Sequence, residues 1–217
     1  MSCFITFEGI EGCGKTTQIR LLADTLKQAG EKVLLTREPG GCPISDKIRS
    51  ILLDARNSEM IPKTELLLYA AARTQHIDEI IKPALSKGTT VLCDRFIDAT
   101  VAYQGFGRGL DLGLIKSLNE TATANCKPDL TILIDCPVET GLGRAIARIE
   151  AGTAADSGHL REERFERESL EFHQRVRDGY LSLAALDTDR FAVIDGTEAA
   201  EVVAENIFRA VSARINC

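Results

Sequence analysis

The sequence predicts an α/β protein in which helices cover both faces of a five-stranded parallel sheet. Two observations carry this prediction. Short apolar runs alternate with longer helical patterns, and the runs are apolar at consecutive positions, as in strands buried on both faces. The 217 residues are enough for one sizeable core. We expect a three-layer α/β/α fold with right-handed crossovers, formed as a single domain by residues 1–217.

The strand predictions rest on the five apolar runs. The first run enters a glycine-rich turn, and the second stops at Pro-Gly-Gly. The predicted strands are CFITFEG (3–9), KVLLTREPGG (32–41), TTVLCDR (89–95), PDLTILIDCP (128–137) and RFAVIDG (190–196).

The helix predictions rest on apolar residues at helical spacing and on Gly and Pro at the ends. Pro83 should kink the longest helix or end it early. The small, polar segment TAADSGHL is typical of a mobile loop, so we expect a short mobile lid near residues 149–163. The predicted helices are 15–30, 42–54, 62–88, 111–124, 138–152, 161–187 and 197–215.

Composition excludes several classes of protein. A net charge of −6 argues against nucleic-acid binding through a broad basic surface. No apolar run approaches the roughly 20 residues that span a bilayer, and the N-terminus has no signal-peptide pattern. The seven cysteines form no C-x-x-C pair, so we expect reduced structural thiols. We therefore expect a cytoplasmic protein with neither a membrane nor a nucleic acid as partner.

The strongest local pattern is a phosphate-binding loop. Residues 9–16 fit G-x-x-x-x-G-K-[ST] and lie between a predicted strand and a predicted helix. Backbone N–H groups of such a loop point at phosphate oxygens, its lysine reaches the β- and γ-phosphates, and its threonine binds Mg²⁺. The predicted ATP-binding residues here are Gly9, Ile10, Glu11, Gly12, Cys13, Gly14, Lys15, Thr16 and Thr17.

Asp94 follows an apolar strand and should face this loop. A carboxylate at the carboxyl end of a strand can hold the magnesium shell, so we expect Thr16 and Asp94 to form the metal site.

Three classes of phosphate-loop protein compete. A GTPase needs an N/T-K-x-D tetrapeptide, which is absent, and an oligomeric ATPase usually has an acidic pair where this strand ends in Asp94-Arg95. A small-molecule kinase needs a second anion site, and arginine suits phosphate because its planar fork binds two oxygens. Two groups of arginines are candidates. One lies in segments that should converge at the carboxyl ends of the strands: Arg37, Arg49, Arg73 and Arg95. The other is the pair Arg144 and Arg148, one helical turn apart.

Six segments together closely resemble bacterial thymidylate kinases, from residue 3 to about 197. They are FEGIEGCGKTT, TREPGG, LLLYAAARTQH, KPALSKGTTVLCDRFIDATVAYQGFGRG, PDLTILID and ERFERESLEFHQRVRDGYLSLA. The resemblance implies a P-loop kinase fold and a cytoplasmic homodimer. It also implies transfer of the γ-phosphoryl of ATP to dTMP, with Mg²⁺.

The resemblance also implies roles for the acceptor residues. Tyr69 should stack on thymine, and Arg73 should bind a base carbonyl. Arg49 and Arg95 should hold the dTMP phosphate. Glu38, Thr100, Tyr103 and Gln104 should complete the pocket, with Tyr103 crowding a ribose 2′-OH.

On the donor side, Arg144 should lie against adenine, and the segment Asp195–Thr197 resembles the family's loop near the adenine. Arg148 is the first candidate for the lid arginine on the transferring phosphoryl, and Arg161 is the second. The chain departs from the family at two places. Its lid is longer, with Glu163 in place of Asp before Arg164, and Ala99 stands where Ser is frequent.

Glu11 puts a carboxylate inside an anion-binding loop. We expect its side chain to point to the acceptor and to bind the dTMP 3′-OH, directly or through water. Lys15, Glu11, Arg95 and Arg148 are then the predicted catalytic residues. Two alternatives stay open: another nucleotide or deoxynucleoside kinase (dUMP, dCMP or thymidine as acceptor), or a regulatory P-loop ATPase.

Overall fold

The structure, a computed structural model, describes residues 2–151, 164–165 and 168–214. Its strands form one parallel sheet in the order β2-β3-β1-β4-β5. This confirms the predicted five-stranded parallel sheet and puts β1 at its centre. The strands are β1 (Phe4–Glu8), β2 (Val33–Arg37), β3 (Thr90–Asp94), β4 (Leu130–Asp135) and β5 (Phe191–Asp195).

Nine α-helices and two π-helical segments lie in the described residues. Two helices start at side-chain caps: Asp111 accepts from the N–H of Leu114, and Ser169 from that of Phe172. The π-helical segments are Ile77–Ile81 and Val101–Gly107. The helices are α1 (Lys15–Gln28), α2 (Pro43–Leu53), α3 (Pro62–His76), α4 (Lys82–Ser86), α5 (Ile97–Thr100), α6 (Leu112–Thr123), α7 (Val138–Glu150), α8 (Leu170–Leu186) and α9 (Ala200–Arg214).

Two apolar clusters cover the sheet, and the larger one reaches both faces, because it contains consecutive residues of β4 such as Ile132 and Leu133. The larger one unites residues of β1 and β4 with α1, α8 and α9, and the smaller one contains Phe4, Ile77, Val91 and Phe96. Both faces of the central strands are therefore covered, as the apolar runs predicted. No helix of the described chain is long and apolar enough to cross a bilayer. The six cysteines in the described residues form no disulfide with one another.

The helix predicted over 62–88 continues past Pro83, so the alternative of an early end is wrong. A proline inside a helix removes one N–H and crowds the carbonyl four residues earlier. Here the π-helical Ile77–Ile81 precedes it, and Pro83 occupies the first turn of α4, where its missing N–H matters least.

Two other predictions need correction. The helix predicted from residue 161 starts only at Leu170, because Ser169 caps it and Arg164 and Phe165 lie in a turn. The segment 97–107, to which no element was assigned, is helical. A Cβ on Gly107 would lie 2.7 Å from the ring of Phe172, so this glycine permits the close packing of α8. Of the lid predicted at 149–163, residues 152–163 lie outside the described part.

Candidate active site

The loop between β1 and α1 has the backbone of a phosphate cradle. Gly9 and Gly12 have φ of +137° and +70°, and a Cβ on either would overlap a backbone carbonyl. The loop then runs into the N-terminus of α1, whose first N–H groups lack helical partners and favour an anion. The predicted ATP-binding residues 9–17 thus form one continuous loop and first helical turn.

Lys15 places a positive charge within this loop. Its Nζ donates to the carbonyls of Gly9 at 3.0 Å and Ile10 at 2.8 Å, and lies 3.5 Å from the Sγ of Cys13. The side chain is buried, although the loop is at the surface end of the sheet.

Thr16 and Asp94 meet at the edge of the loop. The Oγ1 of Thr16 donates to the Oδ2 of Asp94 at 3.2 Å, because Asp94 ends β3 next to Phe7 of β1. Hydroxyl and carboxylate oxygens suit Mg²⁺, which usually takes few protein ligands and completes its shell with water and substrate phosphates. No group of three or more His, Cys, Asp or Glu residues in the described chain could hold a metal ion. This pair therefore fits Mg²⁺ only together with a phosphate ligand.

Arg95 lies on the other side of the loop in a strained conformation. Its φ is +67°, which is uncommon for a residue with a side chain. The guanidinium donates to the Oε1 of Glu11 at 3.0 Å and to the Oη of Tyr180 at 3.2 Å. It also lies over the ring of Tyr103, 4.8 Å from the centroid. Three elements thus fix one arginine beside the phosphate loop.

Glu11 turns its side chain away from the loop and toward Arg95. Its Oε1 also accepts from the hydroxyl of Tyr103 at 2.6 Å. Burial by itself would raise the pKa of Glu11, but its neighbours, Arg95 first, lower the pKa to about 2. The carboxylate is therefore an anion whose charge is met by the residues predicted to bind the acceptor.

Arg73 is buried at the centre of a hydrogen-bond network. Its Nε donates to Glu38 at 2.7 Å, and its Nη1 donates to Asn119 at 2.9 Å. Its Nη2 donates to the carbonyl of Phe96 at 3.0 Å and to Thr100 at 2.9 Å. These bonds use four of the five N–H groups of a guanidinium. The predicted residues Glu38, Arg73 and Thr100 therefore lie together.

The remaining acceptor residues surround the same region. Tyr69 lies half-buried on α3, and burial raises the pKa of its hydroxyl, which stays neutral. Gln104 donates to Glu65 at 2.8 Å, and Arg49 donates to the carbonyl of Pro39 at 2.9 Å. Helices α2 and α3 and the π-helical segment after α5 thus line one side of the site.

The donor-side arginines lie on α7. Arg144 donates from Nη1 to the carbonyl of Gly196 at 2.9 Å, so it contacts the Asp195–Thr197 loop. Arg148 follows one turn later, exposed near the end of α7. Arg161, the second candidate for the lid arginine, lies outside the described residues.

Several buried residues of the site were not predicted from the sequence. Glu65 is fully buried and pairs with Arg164, just after the predicted lid, and with Arg108 at 3.3 Å. It lies four residues before Tyr69 and on the same face of α3, a spacing that could have identified it. His173, on α8, contacts Glu11; only the fold brings those two residues together.

Glu8, at the end of β1, was missed as well. It accepts from the N–H of Phe96 at 2.7 Å and from the hydroxyl of Tyr180 at 2.8 Å. Burial and the nearby Asp98 raise the pKa of Glu8 to about 7. This carboxyl links the central strand to the turn that carries Arg95.

Comparison with known proteins gives one consistent result. A family model described as thymidylate kinase matches residues 7–207. Thymidylate kinase from Citrifermentans bemidjiense is 66% identical over 197 residues, 91% of this chain and 85% of that protein. The enzyme from Geotalea daltonii is 62% identical over 100% of this chain and 99% of its own. The crystal structure of thymidylate kinase from Ehrlichia chaffeensis, at 35% identity, superposes with a TM-score of 0.76 over 97% of this chain and 98% of that chain.

Proposed function

This chain belongs to the thymidylate kinase family, and from that premise we propose how its residues carry out the reaction. The protein is a kinase that phosphorylates dTMP to dTDP with ATP, in the synthesis of dTTP. One observation carries the residue-level proposal: Glu11 leaves the phosphate loop to meet Arg95 and Tyr103. The loop is thereby joined directly to a second, arginine-containing site on its acceptor side.

ATP binds at the loop of residues 9–17. Its phosphates accept from the backbone N–H groups and from the start of α1, and Lys15 adds a charge at the β- and γ-phosphates. The hydrogen bond from Arg144 to Gly196 supports a role for this arginine beside the adenine, because it holds the guanidinium against the loop after β5.

Mg²⁺ is part of this proposal. Thr16 and Asp94 would hold it, and it would neutralise negative charge on the ATP phosphates. The 3.2 Å contact between the two side chains supports a shared site. Neither residue needs a large movement to direct an oxygen at one cation.

dTMP binds on the side of Arg95. Arg95 and Arg49 hold its phosphate, Tyr69 stacks on thymine, and Glu11 faces the sugar. The four hydrogen bonds that fix Arg73 support a role in base recognition, since a fixed donor discriminates better than a mobile one. Glu38 and Thr100 contribute by holding the guanidinium of Arg73 in place. Gln104 lines the same pocket, where its hydrogen bond to Glu65 fixes its side chain.

The transfer step needs positioning and charge neutralisation rather than a general base. An acceptor phosphate monoester already carries an ionised oxygen near neutral pH, because its second pKa is about 6. Arg148 is the proposed lid arginine on the transferring phosphoryl, with Arg161 as the second candidate. A closed lid at 149–163 would exclude water and suppress ATP hydrolysis.

We further propose a single-domain, cytoplasmic homodimer that binds no nucleic acid. Support for a dimer comes from large apolar side chains exposed on α2, on α3 and between them, since such patches mark interfaces. They are Ile44, Ile51, Ile61 and Leu67, exposed by 47 to 62%. The net charge of −6 disfavours nucleic acid as a partner.

The acceptor is tested by measuring ADP release with dTMP, dUMP, dCMP and thymidine. We expect the highest kcat/KM with dTMP. A loss of one methyl in an apolar pocket costs about 1–3 kcal/mol, so dUMP should be about 10- to 200-fold poorer. Thymidine should be much poorer still, because Arg49 and Arg95 lose their phosphate. ADP release at the same rate without any acceptor would contradict the proposal.

A further inference from the structure

His173 is a fully buried histidine between the phosphate loop and the segment after the predicted lid. We propose that it is an imidazolium that neutralises Glu11, and that it thereby leaves the charge of Arg95 for the acceptor phosphate. It is a positioning residue in this account, since it acts through Glu11. The inference rests on the proposed acceptor site.

The first contact of the ring fixes one proton. Nε2 lies 3.0 Å from the carbonyl oxygen of Phe165. A carbonyl oxygen can only accept a hydrogen bond, so Nε2 must carry the hydrogen. A neutral ring would then have a bare lone pair at Nδ1.

The second contact requires the other proton. Nδ1 lies 3.2 Å from the Oε2 of Glu11. The contact lacks the geometry of a regular hydrogen bond, and neither atom has another hydrogen-bond partner among the described residues. A lone pair at Nδ1 would repel the carboxylate, and two buried polar atoms would stay unsatisfied. A doubly protonated ring converts the same 3.2 Å contact into an ion pair.

His76 gives an internal contrast. It is equally buried and also lies beside a carboxylate, with Nδ1 3.0 Å from Glu38. Its Nε2, however, lies 2.6 Å from the hydroxyl of Thr36, which can donate as well as accept. A neutral ring with its hydrogen on Nδ1 satisfies both partners of His76. Of the two histidines that the structure describes, only His173 therefore requires a second proton.

The other groups around this pair agree with a charged ring. Burial raises the pKa of the Tyr103 hydroxyl well above its usual value, so Tyr103 donates to Glu11 as a neutral phenol. Burial likewise raises the pKa of the hydroxyl of Tyr180, which lies on the same helix as His173. This hydroxyl donates a hydrogen bond to Glu8. Arg95 and Lys15 are the cations that act on Glu11 from the loop side. The rings of His173 and Phe172 are nearly perpendicular, with their centroids 5.5 Å apart.

The consequence concerns the charge at the acceptor phosphate. With a neutral ring, the carboxylate of Glu11 cancels the guanidinium of Arg95. With an imidazolium, Glu11, His173 and Arg95 together carry one net positive charge. A dianionic phosphate should bind more tightly to the second arrangement, whereas an uncharged nucleoside should respond little.

The charge of the ring can be read by NMR of the histidine ring nitrogens at neutral pH in the wild-type protein. The chain has three histidines, and the signals are assigned with His173→Gln and His76→Gln. We expect both nitrogens of His173 to have the shifts of protonated nitrogens, with only one protonated nitrogen in His76. One bare nitrogen in His173 would overturn the proposal. This arm needs no activity, so its result does not depend on the proposed function.

The effect on the acceptor is tested by calorimetric titration with dTMP and with thymidine. His173→Gln keeps an N–H toward Glu11 but removes the charge, so the preference for dTMP over thymidine should fall about tenfold. The control His76→Gln should leave this preference unchanged. An equal loss for both ligands, or none, would overturn the role of the charge. Failure of the wild-type protein to bind dTMP would instead refute the proposed function.

Discussion

Glu11 is the residue that gives a common phosphate loop a specific acceptor side. The backbone N–H groups of the loop serve the donor phosphates whatever this side chain does. Phosphate binding does not need the carboxylate of Glu11. Its hydrogen bonds with Arg95 and Tyr103 place it in the proposed acceptor site instead. The loop supplies Lys15 but no arginine, so the arginine that we propose for the transferring phosphoryl must come from another element, and Arg148 on α7 is the first candidate.

Arg148→Ala tests that source. We expect kcat to fall by about 10³-fold or more, with little change in KM for dTMP, because an arginine finger acts in the transition state. Steady-state kinetics at saturating ATP measures both constants. Arg144→Ala, one turn earlier on α7, is the matched control and should mainly raise KM for ATP. A near-normal kcat in Arg148→Ala would move the role to Arg161.

Glu11→Gln tests the contact to the acceptor. Loss of a charged hydrogen bond to the sugar should raise KM for dTMP by about tenfold or more. KM for ATP should change little, since the backbone of the loop is intact. The measurement is a two-substrate kinetic analysis. Unchanged kcat and KM for dTMP would rule out the sugar contact.

At the scale of elements, residues 164–165, which follow the predicted lid, are bound to α3 by an ion pair. Arg164 reaches the fully buried Glu65, and the ring of Phe165 meets that of Tyr103 at a centroid distance of 5.3 Å. α8 then packs on the π-helical segment next to it. The acceptor wall and the base of the lid are therefore built from the same contacts.

Arg164→Ala should destabilise the protein by about 3 kcal/mol, because it leaves a buried carboxylate with fewer partners. Urea denaturation measures the change in free energy of unfolding. Lys82→Ala removes an exposed ion pair with Asp78 and serves as the control, with an expected loss below about 0.5 kcal/mol. An equal loss of unfolding free energy in the two variants would show that the burial of Glu65 does not strengthen its ion pair with Arg164.

The strands and most helices could be predicted from the sequence because burial on both faces leaves long apolar runs. Helix boundaries that depend on tertiary contacts could not. The charged stretch before Leu170 has helical composition, yet Arg164 and Phe165 are held in a turn by Glu65 and Tyr103. In the segment 97–107, glycines that allow close packing carry no local helix signal.

The residues of the site likewise divide into those that the sequence could predict and those that it could not. The phosphate loop and Asp94 were predictable because their spacing is local. The arginine roles came from the family resemblance, and the structure now supplies their partners. The roles of His173 and Glu8 could not be predicted from nearby residues, because their contact partners, Glu11 and Tyr180, are distant in the sequence.

At the scale of the whole molecule, Glu8 makes stability depend on pH. Its pKa is raised from 4.5 to about 7 in the folded protein, so its contribution is fully present below pH 4.5 and is lost as pH rises through 7. The free energy of unfolding should therefore fall by up to about 3 kcal/mol between pH 4.5 and pH 7 on account of Glu8, and Glu8→Gln should abolish this fall. Thermal unfolding between these pH values measures it. A variant with the same pH dependence as the wild type would contradict the assignment.

The proposed dimer is tested by Leu67→Glu, which puts a charge among the exposed apolar side chains of α2 and α3. We expect analytical ultracentrifugation to show a dimer for the wild type and a monomer for the variant. Leu186→Glu is the control, because Leu186 is 85% exposed at the end of α8, and it should remain dimeric. A wild-type monomer would contradict the proposal outright.

The central claim is that one continuous site passes a phosphoryl group from the loop to an acceptor held by Arg95. Its most direct test follows the radiolabelled γ-phosphate of ATP in the presence of dTMP and Mg²⁺. The account predicts that the label appears in dTDP, and that inorganic phosphate is a minor product. Label released as inorganic phosphate, at a rate that dTMP does not alter, would contradict it.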